Sequence, residues 1–190
     1  YEVCTTPKPG LVDRANSGSH RDMDVFTFMG SAAALWPYYE QCCRIGMATA
    51  AQPAPATLAA LRAPGRNAEA EMLKSTGGVN THKGAIFSVG LACAALGRLP
   101  RTAWCDPARV LQECAAMAAG VVAADFAGLN AETAHTAGQK YYVEYGITGV
   151  RGQAEVGFPA VLQAGLPTLE NALLAGYSLN DAGAAALLAL

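Results

Sequence analysis

The chain has 190 residues, of which 52% are hydrophobic and only 15% charged, with a mean hydropathy of +0.20. That length fits one domain over 1–190, large enough to bury a core without covalent staples. A net charge of −2 and a pI near 5.9 exclude the electrostatic footprint of a duplex nucleic-acid binder or of a protein drawn to anionic membranes, so any phosphate must be held by a few local cations.

The first segment, 4–14, reads C-T-T-P-K-P-G-L-V-D-R and is too polar and proline-broken for a core element. Both prolines bias the residues before them to extended geometry, so Lys8 sits on a stiff arm. The arm continues through Asn16, Gly18, Ser19, His20, Asp22 and Asp24 before apolar periodicity begins. Asp22 or Asp24 can then cap a helix carrying Phe26, Met29, Ala33, Trp36 and Tyr39, with a kink at Pro37. Residues 52–55 read as a linker. A short helix over 56–63 stops at Pro64-Gly65, and 66–75 reads as another, carrying Glu69 and Glu71.

The most informative stretch follows, G-G-V-N-T-H-K-G over 77–84. It sets a glycine turn, a helix cap (Asn80 or Thr81) and a positive charge (Lys83) at one helix start, with Ala85, Ile86, Phe87, Val89 and Leu91 as the buried face. A helix N-terminus already carries about half a positive charge, so Lys83 there calls for an anion to offset it. Exposed amides, dipole and ammonium together describe a phosphate cradle, although no P-loop string is present.

Further helices are expected near 82–97, 107–127, 133–145, 157–175 and 179–190. Strand alternation never persists, and alanine, the best helix former, is the commonest residue. The expected fold class is therefore all-α, a multi-helix bundle, with both ends of the chain read as cut. Six cysteines without C-x-x-C spacing suit reduced thiols in the cytoplasm, and no apolar run is long enough to span a bilayer.

Six strings in register resemble one family. They are T-T-P-K-P-G-L-V-D-R (5–14), N-x-G-x-H-x-D-M (16–23), the 69–72 stretch, G-V-N-T-H-K-G (78–84), T-A-G-Q (136–139) and G-V-R-G-Q-A-E-V-G-F-P (149–159). The family is that of the triphosphoribosyl-dephospho-CoA synthases, which make the precursor of the prosthetic group of citrate lyase and malonate decarboxylase. The resemblance implies that ATP and 3′-dephospho-CoA are the substrates. It also implies that the 2′-hydroxyl of dephospho-CoA displaces adenine from C1 of the ATP ribose, and that the product passes through a separate transferase to an acyl carrier protein subunit.

Such N-glycosidic substitution needs carboxylates beside a cationic ribose, an acid, a base, and a triphosphate held by magnesium and cations. Within the matching strings, Lys8, Arg14, Lys83 and Arg151 are the candidate phosphate cations, with Asn16, Asn80 and Thr81 beside them. Glu69 and Glu155 are candidate catalytic carboxylates, and His82 and His20 candidate proton carriers, His135 less so. Asp13, Asp22 and Glu71 are the candidate ligands for a magnesium ion. Two departures stand out: Gln153 replaces a glutamate usual in the family, and the chain stops before the Asp-Thr-Asn and Arg-Gly-Gly segment that the family carries downstream. Alternatives are a nucleotide- or CoA-binding helical module without turnover, and an α-helical ribosyl hydrolase.

Overall fold

The computed structural model describes residues 1–190 apart from the side chain of Ala137, and every regular element among the described residues is helical. The elements are α1 (Val25–Ala48), α2 (Ala54–Ser75), α3 (Lys83–Arg98), α4 (Pro107–Ala118), α5 (Val121–Asp125), α6 (Ala137–Tyr145), α7 (Gly149–Glu155), α8 (Leu166–Leu174) and α9 (Leu179–Ala189). The expected all-α, multi-helix class is what forms. Among the described residues no helix is long and apolar enough to cross a membrane.

The chain divides into two compact units. The first comprises Tyr1–Gln41, Arg62–Gly90 and Ala160–Leu190; the second comprises Cys42–Leu61 and Leu91–Pro159.

In the first unit, Ser31, Leu35 and Tyr38 of α1 are buried with Ala68 and Met72 of α2 and Ile86 of α3, and the Tyr38 hydroxyl donates to the Ile86 carbonyl at 3.1 Å. The stripe expected on α1 faces outward instead: Phe26 is 76% and Trp36 73% exposed. Both stripes have helical spacing, so neighbours rather than pattern chose the face. Asp24, not Asp22, caps α1, its Oδ1 accepting from the Thr27 amide and hydroxyl, each at 2.8 Å.

A second correction concerns α2, which runs unbroken through Pro64. Proline costs the helix one amide donor. The buried series Thr57, Leu61, Ala68 and Met72 nevertheless continues on one side of the helix across it, so burial outweighs the local breaker.

The N-terminal arm is tied down at both ends of its polar run. The Asn180 side chain on α9 grips the Thr6 peptide twice, accepting from its amide at 2.9 Å and donating to its carbonyl at 2.7 Å. Farther along, Asp13 is buried and accepts four hydrogen bonds: from the Thr6 hydroxyl (2.8 Å), and from the amides of Lys8 (2.9 Å), Ala15 (2.7 Å) and Asn16 (3.0 Å).

These donors, the Lys8 amide foremost, hold the Asp13 carboxyl well below the usual carboxylate range. Because the native pKa lies below the unfolded one, the stabilisation is complete above the unfolded value and is lost only as pH falls through the folded one. In a carbon-13 titration the Asp13 carboxylate should therefore stay ionised at about pH 3, where ordinary aspartates protonate. A midpoint near that of free aspartate would refute this account of the arm.

In the second unit, α1 and α3 meet backbone to backbone. A β-carbon on Gly46 would lie 2.1 Å from the Ala94 carbonyl oxygen, and one on Gly97 would lie 2.1 Å from that of Cys43. Arg98, the last residue of α3, gathers the surroundings. Its Nε donates to Glu113 on α4 (2.5 Å), Nη1 to the Thr49 carbonyl (2.7 Å) and Thr57 hydroxyl (2.8 Å), and Nη2 to the Gln52 carbonyl (3.2 Å).

The helix expected over 107–127 breaks at Gly120, whose φ of 77° is left-handed, giving α4 and α5. The helix expected over 133–145 starts later, at α6. There the Thr136 hydroxyl accepts from the Gln139 amide, and the Gln139 side chain accepts in turn from the Thr136 amide. Helix α7 lies in the 149–159 string where no helix was expected. The helix expected over 157–175 forms as an unbroken helical run over 159–174 that widens into a π turn at Val161–Gly165 before α8. Among the described residues no two cysteines form a disulfide, and burial pushes the Cys114 thiol up to about 12.

Candidate functional site

The glycine turn after α2 forms as expected, with Gly77 and Gly78 at φ of 66° and 94°. Thr76 closes it, its hydroxyl donating to the Val79 carbonyl at 2.6 Å with the Met72 carbonyl 2.9 Å away. The turn brings the start of α3 back beside α2. Asn80 caps that start, its side-chain oxygen accepting from the Lys83 amide at 3.3 Å. The Lys83 ammonium in turn meets Glu69 of α2 at 2.5 Å, both side chains part-exposed. The anion that the helix-start lysine called for is thus supplied by the chain itself.

His82, between these residues, is held on several sides. Its amide donates to the Met72 sulfur (3.2 Å), its ring meets Phe28 edge-on with centroids 5.0 Å apart, and its Nδ1 lies 2.8 Å from the hydroxyl of Ser31. Thr81 donates to the same Ser31 oxygen at 2.7 Å. Burial pulls the His82 pKa below its ordinary value, opposed by the Glu2 carboxylate. Burial thus favours the neutral imidazole. Ser31, Phe28 and Met72 were not singled out in the sequence. The available signal was Ser31, a polar residue on the same helical stripe as Leu35 and Tyr38.

The other expected residues separate into local arrangements. Lys8 is turned inward, its side chain 3% exposed, and its ammonium donates to the Glu2 carboxylate (2.5 Å) and carbonyl (2.8 Å). Arg14 is exposed and lines an apolar cavity of about 450 Å³ with Cys4, Thr5, Leu179, Gly183 and Leu187. Asn16 accepts from the Gly18 amide at 2.8 Å. His20 and Asp22 lie side by side and exposed, 3.7 Å apart. His135 is exposed.

Arg151 and Glu155 belong to the second unit. Arg151 donates to Asp125 at 2.7 Å and lies over the Phe126 ring, 5.6 Å from its centre. Glu155 accepts from the Gly120 amide at 2.6 Å, tying α7 to the break between α4 and α5.

The residues expected to bind magnesium do not form a set. Among the described residues no three His, Cys, Asp or Glu side chains converge to hold a metal, and both Asp13 oxygens are occupied by hydrogen bonds. Asp13, Asp22 and Glu71 thus do not fit a resident ion as a group. Magnesium that keeps its waters and binds mainly through substrate phosphates needs no such cage.

The family model described as ATP:dephospho-CoA triphosphoribosyl transferase matches residues 1–190. Curated relatives include a probable 2-(5''-triphosphoribosyl)-3'-dephosphocoenzyme-A synthase of Lactiplantibacillus plantarum, 43% identical over 171 residues (89% of this chain, 60% of the relative). The 2-(5''-triphosphoribosyl)-3'-dephosphocoenzyme-A synthase of Pectobacterium atrosepticum is 43% identical over 178 residues (92% and 58%). A probable synthase of the same name from Albidiferax ferrireducens is 45% identical over 166 residues (87% and 54%). The chain thus spans a little over half the length of these relatives. No solved structure gives a significant match.

Proposed function

The chain belongs to the ATP:dephospho-CoA triphosphoribosyl transferase family, and from that premise we propose that the whole protein joins the ribosyl triphosphate of ATP to the 2′-hydroxyl of 3′-dephospho-CoA. In this reaction the C1–N bond to adenine breaks, a C1–O bond to the hydroxyl forms, the hydroxyl proton passes to a base, and adenine leaves protonated on its ring nitrogen. No phosphate bond is cleaved. The observation that carries the reading is the Lys83–Glu69 pair where α3 begins, with the neighbouring His82 ring held by Ser31: a cation, a carboxylate and an imidazole, three of the groups the chemistry uses.

We assign Glu69 to the cationic ribose, where a carboxylate stabilises the charge that develops as adenine departs. Lys83 takes the triphosphate, whose arrival would draw its ammonium from Glu69 and leave that carboxylate free. Magnesium enters as part of the MgATP substrate. His82 attends the departing base, and His20, beside Asp22, is the histidine assigned to the attacking hydroxyl. Arg14 is assigned to the diphosphate of dephospho-CoA, with the apolar cavity at its side for the pantetheine arm. The product would pass through a separate transferase to an acyl carrier protein subunit of citrate lyase or malonate decarboxylase, in the cytoplasm.

The test is adenine release from ATP and magnesium by the full-length protein. Release that requires dephospho-CoA is the expected result. Release without it would mark a ribosyl hydrolase, and ATP binding without release would mark a binding module, either of which overturns the reading.

A further inference from the structure

Ser31 lies in the second turn of α1 with no solvent exposure, yet it carries a hydroxyl. A hydroxyl has one proton to give and two lone pairs to receive. The Thr81 hydroxyl occupies one lone pair from 2.7 Å, and the other polar neighbour within hydrogen-bond distance is His82 Nδ1 at 2.8 Å. If Nδ1 carried a proton, Ser31 would accept twice and its own proton would be buried with no acceptor, an arrangement that folded proteins avoid. With Thr81 donating to Ser31, as the hydroxyl geometry has it, the chain of bonds runs one way: Thr81 donates to Ser31, and Ser31 donates to Nδ1.

We propose that Ser31 and Thr81 are positioning residues that hold His82 as the neutral tautomer with its proton on Nε2, making the ring a hydrogen-bond donor at its outer nitrogen. Among the described residues Nε2 has no protein partner, so its N–H is available to a ligand. The Phe28 edge contact and the bond from the His82 amide to Met72 fix the ring plane and the backbone from which it projects. The burial that disfavours the imidazolium acts in the same direction. An N–H donor at this place suits an acceptor with a lone pair in an aromatic ring, such as a ring nitrogen of the departing adenine. A base that removes a proton is the opposite role. The identity of the acceptor rests on the proposed function; the tautomer does not.

The test uses full-length protein labelled with nitrogen-15 in histidine, with His82→Gln to assign the signals. At pH 7 the parent should show an unprotonated Nδ1 and a protonated Nε2 for His82. Ser31→Ala removes the donor to Nδ1, and Thr81→Val, nearly the same shape, removes the constraint on Ser31. Each should turn the single tautomer into a mixture while helical dichroism stays that of the parent. Adenine release should fall roughly tenfold or more in kcat with little change in KM, because a misplaced proton impairs the reaction more than binding.

A protonated Nδ1 in the parent, or an unchanged signature in both variants, overturns the proposal. The expected tautomer in a full-length protein that releases no adenine would overturn the proposed function and leave the positioning of His82 standing.

Discussion

Replacing Glu69 by Gln in the full-length protein should lower dephospho-CoA-dependent adenine release roughly a hundredfold at saturating substrates, about 2.7 kcal/mol of barrier. Glutamine keeps the size of the side chain and an oxygen that can still accept from Lys83, so the turn between α2 and α3 should be preserved. What it removes is negative charge, which matters most when the ribose is most positive. ATP affinity should therefore change far less than turnover, because Lys83 keeps its charge and is freed from a competing anion. Steady-state kinetics with separately measured ATP binding would check this. A variant working within about twofold of the parent would remove Glu69 from the mechanism and turn attention to Glu155.

The largest effect on folding is expected at Arg98. Its guanidinium satisfies two carbonyls just past the end of α1, the Thr57 hydroxyl and the Glu113 carboxylate, and its side chain is only 9% exposed. Arg98→Met should lower stability by roughly 3–5 kcal/mol, since it strands a largely buried carboxylate and several acceptors together. Against the 5–15 kcal/mol typical of a folded domain, that is a large share. Arg98→Lys should recover only part, because an ammonium cannot reproduce the planar fork. Urea unfolding at pH 7 measures both. A loss under about 1 kcal/mol for the Met variant would mean that the network is ornamental.

What the sequence made legible was local. The glycine turn at 77–78, the α3 start and its lysine follow from backbone rules acting over a few residues, and they formed at the expected places. The family strings also contain Glu69, His82 and Lys83 of the candidate site, but not Ser31 or Phe28, which hold the His82 ring. Partnerships across distance were not legible. Glu69 and Lys83 are 14 residues apart and Ser31 and His82 are 51 apart, and each pair exists only because helices fold back beside one another.

The same reason explains the misread face of α1: two stripes satisfied helical spacing, and only the packing of Leu35 and Tyr38 distinguished them. At Pro64 a local breaker was overruled by burial on both sides. In the first string, the sequence presented Lys8 as a phosphate cation and Asp13 as a magnesium ligand; in the folded chain Lys8 pairs with Glu2, and Asp13 accepts from the arm amides.

The reciprocal bonds between Thr136 and Gln139 do more than finish a helix end. By locking where α6 begins they set its angular phase, and each residue of slippage would rotate every later side chain by about 100°. In the observed phase it is Tyr142, not Tyr141 or Val143, that stacks on Phe126, with ring centres 4.2 Å apart. Phe126 is also the ring over which Arg151 lies. A four-residue string with no charged group thus acts as an indexing pin: it selects which tyrosine supports the platform beneath a cation that belongs to a different string.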